Sequence, residues 1–125
     1  MKPEVTLLAE NGYLHAKVRG LNTAENVTAY LAQVREACVE RGCKAVLIEE
    51  NLDGPGLPLV KVFEVASKGS ENAWRLSLKI AFVDVNPKHD PDTLRFAETV
   101  AVNRGVNLKV FASVEQARRW LVSET

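Results

Sequence analysis

The chain has 125 residues, 46% of them hydrophobic, with 16 Lys plus Arg against 16 Asp plus Glu and a pI near 6.7. That length suits one domain with its own core, and the even charge balance lacks the global field that draws nucleic acid or anionic membrane. No apolar run reaches bilayer length, and the opening MKPEVTLLAENG is not of leader type, so the expectation is a single cytoplasmic domain over residues 1–125 with neither nucleic-acid nor membrane partners.

VTLLAE and YLHAKVR are β-rich runs separated by Asn11-Gly12, which tolerates the positive φ of a type I′ turn, so the first two strands pair as an antiparallel hairpin. In the second run Leu14, Ala16 and Val18 alternate with Tyr13, His15, Lys17 and Arg19; the first set faces the core and the second, His15 included, faces water. Asn22 with Glu25 makes a variant capping box that opens a helix. Val27, Leu31, Val34 and Cys38 recur along it as a buried stripe, and Arg41-Gly42 ends it with a cation and a left-handed stop. AVLI, residues 45–48, is the continuous apolar run of a central parallel strand. Beyond the following loop, Leu59, Val62, Phe63 and Ala66 mark the inner face of a second helix, with Pro58 in its first turn, that fades around Lys68-Gly69-Ser70. Trp74-Arg75 falls outside a helical stripe and reads as a packing lid or an interface anchor. LKIAFVD is another buried strand. Asp90-Pro91 opens a third helix that carries Leu94, Ala97 and Ala101 and stops at Arg104-Gly105. VNLKVFA is the last strand, and Ser113 with Gln116 caps a terminal helix whose Ala117, Trp120 and Leu121 face inward.

The order β-β-α-β-α-β-α-β-α predicts an α/β fold: a mostly parallel five-stranded sheet with an N-terminal antiparallel hairpin and four helices. The two cysteines, Cys38 and Cys43, lack C-x-x-C spacing, and the first falls inside a helix with the second just past its end. Two reduced thiols are expected.

That element order, with VLIEENLDGPGLPLV as strand, loop and helix start and KIAFVDVNPKHDPDTLRFAETVAVNRGVNLKVFASVEQARRWL as the C-terminal half, resembles the SpoIIAA-like superfamily and its STAS (sulfate transporter and anti-sigma-factor antagonist) domains, in particular the small stand-alone bacterial members. The resemblance implies a non-enzymatic regulatory module acting through a protein partner. In the antagonists the loop reads approximately D-S-S-G-L and a serine there receives phosphate from a partner kinase. Here the matching positions are Asp53, Gly54, Pro55, Gly56 and Leu57, which carry no hydroxyl, so the serine switch does not come with the resemblance.

The residues themselves leave alternatives open. Gly54 and Gly56 offer backbone N–H groups to an anion, although Pro55 and Pro58 remove donors and neither a Walker motif nor G-x-G-x-x-G is present. Glu49, Glu50, Asp53 and Asp84 fall at neighbouring strand ends, where carboxylates hold magnesium or tune one another, or serve as solvated loop acids. In VNPKHDPD, Lys88, His89, Asp90 and Asp92 lie close together, but Asp90 reads as a helix cap and Lys88 repels a cation. No nucleophile completes a catalytic set. The expectation is therefore a binding surface at Asp53, Gly54, Pro55, Gly56 and Leu57 with Asp84, Lys88, His89 and Asp90 alongside, no catalytic residue, no metal and no cofactor. A small-molecule module binding a nucleotide, another anion or an apolar ligand on the same edge is the alternative, and self-association remains open.

Overall fold

In a computed structural model that describes residues 2–123, the chain runs β1 (Glu4–Ala9), β2 (Leu14–Leu21), α1 (Ala24–Arg41), β3 (Ala45–Asp53), α2 (Leu59–Arg75), β4 (Lys79–Asp84), α3 (Pro91–Asn103), β5 (Asn107–Val110) and α4 (Val114–Leu121). The strands form one sheet in the order β1-β2-β3-β4-β5, with β1 antiparallel to β2 and all other pairs parallel. Each strand thus lies beside its predecessor in sequence, and the crossovers advance in a constant direction. One face of the sheet packs against α1, α2 and α3 through Val27, Tyr30, Val34 and Cys38 of α1, Ala73 of α2 and Ala101 of α3. The other face carries a smaller cluster in which Leu47, Ala81 and Val83 meet Ala117 and Leu121 of α4.

The expected stop signals form. Gly42 takes the left-handed conformation after α1 at φ 62°, the Asp90 side chain accepts from Asp92 N ahead of α3, and the Ser113 hydroxyl accepts from Gln116 N ahead of α4. Cys38 is buried, Cys43 is half-buried, and both are free thiols. No helix among the described residues is long and apolar enough to cross a membrane.

Several local expectations are corrected. The hairpin connection is a four-residue loop closed by Glu10 N donating to Tyr13 O at 3.0 Å. Gly12 alone has positive φ there, so a two-residue type I′ turn does not form. The cap of α1 is Thr23, whose Oγ1 accepts from Asn26 N at 3.1 Å; Asn22 lies one position too early. Continuous helix extends α2 through Trp74 to Arg75, and its inner stripe is Val62, Val65, Ala66, Ser70 and Ala73, which leaves Leu59, Phe63 and Trp74 exposed. His15 is not in water. It is only 2% exposed, because its face is covered where Tyr13 and register partner Leu47 join the α4 cluster. His15 Nε2–H donates to Glu49 Oε1 at 2.9 Å, and its Nδ1 is buried without a partner.

Candidate functional site

β3 is longer than its apolar run. Glu49, Glu50 and Asp53 lie within the strand, and the period of two sends Glu49 to the α4 side and Glu50 to the side of α1 to α3. The parallel register pairs Glu50 with Asp84, one step beyond Ile48 with Phe82, so two acids sit side by side at the carboxyl end of an otherwise apolar face. On α1 the stripe Val27, Tyr30, Val34 and Cys38 places Tyr30 over this end, fully buried. Its hydroxyl donates to Glu50 Oε2. Burial pushes the Glu50 carboxyl up to about 7, with the Asp84 charge adding to the rise and the Tyr30 hydrogen bond and His89 opposing it. Burial and the adjoining Glu50 likewise raise the Tyr30 hydroxyl well above 10, so it remains a donor.

Beyond β4 the chain turns on Asn86, whose N–H donates to Asp84 Oδ1 at 3.0 Å and whose side-chain amide donates to Leu52 O at 2.8 Å. This turn presents His89 with its Nδ1–H donating to Asp84 Oδ2 at 2.7 Å and its Nε2–H donating to Gly54 O at 2.9 Å. Asp84 and Gly54 O are acceptors, so the doubly protonated ring satisfies both of these bonds, and the Asn86 amide nitrogen lies at a longer 3.4 Å from Nε2. Burial by itself lowers the His89 pKa, but the hydrogen bonds to Asp84 and Gly54 O, with the charges of Asp84 and Glu50, raise it overall. Gly54 has φ +108°, a conformation that L side chains rarely adopt, and this turn leaves its carbonyl in reach of His89.

Behind these groups lies a cavity of about 170 Å³ between the sheet and α1 to α3. Ile48 and Phe82 of the sheet, Leu31 of α1, Val62 of α2 and Leu94 of α3 line its body, while Glu50, Asp84 and His89 close one end. Cavities of about 150 Å³ lined by aliphatic and aromatic side chains hold a benzene-sized guest, so the space suits a molecule of about one ring.

The expected surface is only partly brought together. Gly54, Gly56, Leu57, Asp84, His89 and Asp90 converge on the cavity or on the groups that close it. Asp53 is exposed at the end of β3, where its carbonyl accepts from Asn22 N at 2.7 Å, and Pro55 serves through its carbonyl, which accepts from Asn22 Nδ2 at 2.9 Å. Lys88 is exposed and engages the site only through its N–H, which donates to Asn86 Oδ1 at 3.0 Å. Tyr30, Asn22 and Asn86 belong to the site although the sequence reading gave them no role there. Tyr30 stands at i+3 from Val27 and could have been found by including an aromatic hydroxyl in the buried stripe; the two asparagines flank strand ends and leave no periodic signal. Among the described residues, no group of three or more His, Cys, Asp or Glu side chains is placed to hold a metal ion. Neither models of protein families nor curated proteins yield a match to this chain.

Proposed function

We propose that the protein is a non-enzymatic binding module of SpoIIAA-like type whose ligand is a small, mainly apolar molecule held in the cavity between the sheet and α1 to α3. The observation that carries this reading is the cavity itself: about 170 Å³ of apolar space closed at one end by hydrogen-bonding side chains, the usual form of a small-molecule site. The progressive five-stranded sheet with its hairpin and four helices is consistent with the SpoIIAA-like resemblance. The non-enzymatic reading is favoured by His89, whose two ring nitrogens are hydrogen-bonded to Asp84 and Gly54 O and so hold the turn in place. Two free thiols fit a reducing, cytoplasmic setting.

The test is methyl NMR of the labelled protein titrated with toluene, repeated with Ala97→Leu, which adds bulk to the lining. Saturable shifts at Ile48, Val62 and Leu94 that vanish in the filled variant are expected; an unresponsive parent protein would remove this reading. A regulatory protein partner is a second reading, favoured by the exposed Leu59, Val60 and Phe63 at the start of α2, next to the loop carrying Leu57. Recovery of the same partners by the parent and by Phe63→Glu would exclude it.

A further inference from the structure

Of the three ionisable side chains that close the cavity, two balance one another: Asp84 is paired with His89 at 2.7 Å. Glu50 has no such counterpart. It is 8% exposed and lines the cavity, its Oε2 takes the Tyr30 hydroxyl, and its Oε1 receives no hydrogen bond among the described residues. We propose that the ligand class is a small apolar amine of about one ring in size, its body among the aliphatic lining and its ammonium on Glu50 Oε1. This rests on the cavity being the binding site.

The surroundings discriminate against other headgroups. Around Glu50 stand Tyr30 from α1, Asp84 on β4 and His89 in the following loop, while its β2 neighbour is Val18. The two donors beside Glu50 and Asp84 are engaged, the Tyr30 hydroxyl on Glu50 and the His89 ring on Asp84 and Gly54 O. A carboxylate set against Glu50 would therefore meet its charge with neither of these donors free to offset it. α2 adds no charged group to the lining. α3 and its cap add Asp90, which binds Asp92 N, and Glu98, whose Oε2 accepts from Val110 N at 2.7 Å. The cation α1 contributes, Arg35, lies five residues beyond Tyr30, about 7.5 Å along the helix, and its charge neighbour is Glu36. An alcohol would find the same acceptor as an amine, without the charge that makes a buried carboxylate favourable.

The experiment uses four probes of one ring each, benzylamine, benzyl alcohol, toluene and benzoate, followed by methyl NMR at pH 8 and pH 5.5. Benzylamine is expected to bind at least about tenfold more tightly than benzyl alcohol at pH 8, with benzoate weakest. Because the amine selects the ionised form of a carboxyl that titrates near 7, its affinity falls roughly 30-fold on going to pH 5.5, while that of toluene is unchanged. His89 works in the same direction, since acid adds positive charge beside the ammonium. Glu50→Gln should abolish the advantage of the amine over the alcohol; if that variant does not fold, the pH dependence of the parent protein decides alone. Neutral probes that bind as tightly as benzylamine, or an amine affinity indifferent to pH, would overturn the amine assignment and leave the cavity reading standing. Failure of every probe to shift the lining methyls would bring down the cavity reading and the assignment with it.

Discussion

Glu50→Gln should make the protein more stable at pH 8 and leave it unchanged near pH 4. In the folded chain the carboxyl is raised from an ordinary 4.5 to about 7. At acid pH Glu50 is protonated in both folded and unfolded states and contributes no difference. Above the unfolded value only the folded state retains the proton, so stability falls with rising pH until the folded value is passed. The accumulated loss corresponds to on the order of 3 kcal/mol. Glutamine keeps the shape of the protonated acid and still offers an oxygen to Tyr30, but has no proton to lose. Urea unfolding of parent and variant at pH 4, 5, 6, 7 and 8 measures the difference directly, and a midpoint gap opening across this range is expected. His89, raised above its ordinary 6.5, adds stability at acid pH that is likewise lost as pH rises, but it is present in both proteins and largely cancels in the comparison. A gap that stays constant from pH 4 to pH 8, or that favours the parent protein at pH 8, would refute the burial argument.

Gly54→Ala should cost about 1 kcal/mol or more from its positive φ, since nothing crowds the added Cβ, and should shift the His89 ring resonances; Gly56→Ala, in open space with ordinary φ, should be close to neutral. If the two variants unfold at the same urea concentration, the turn is not strained as described. His15→Leu replaces a buried ring whose Nδ1 has no partner, beside a Glu49 carboxylate that keeps access to water, and should raise stability by about 1 kcal/mol. A loss of that size would mean that the His15–Glu49 bond outweighs the orphaned nitrogen. In the native protein iodoacetamide should label Cys43 first, because burial, with the neighbouring Cys43, pushes the Cys38 thiol up to about 11; mass mapping that finds Cys38 modified first contradicts this.

Signals carried by one or two adjacent residues were legible in the sequence: the left-handed stop at Gly42, the caps at Asp90 and Ser113, and the switch from period two to helical spacing at each element. Signals that depend on what arrives from elsewhere were not. The alternation around His15 assigns it correctly to the face opposite Ala16, but that face becomes dry only because the hairpin loop and α4, a hundred residues further on, meet above Leu47. Likewise Leu59 and Phe63 have the composition of core residues, yet α2 turns Val62, Ser70 and Ala73 inward and leaves them outside. At the site, the acids were visible and their segregation was not: one residue of register separates Glu49, beside His15, from Glu50, at the cavity.

Because every strand pairs with the one before it, the sheet has an order in which it is able to assemble as the chain is synthesised. Each newly completed strand finds its partner already made, and no early strand waits for a distant one, which keeps the loops that must close short. The exception is α4, whose contacts are with β3 and β4. Until those last residues emerge, Leu47, Ala81 and Val83 stand uncovered on the far face, so a nascent chain halted before Val114 has its cavity face built while its other face is still adhesive.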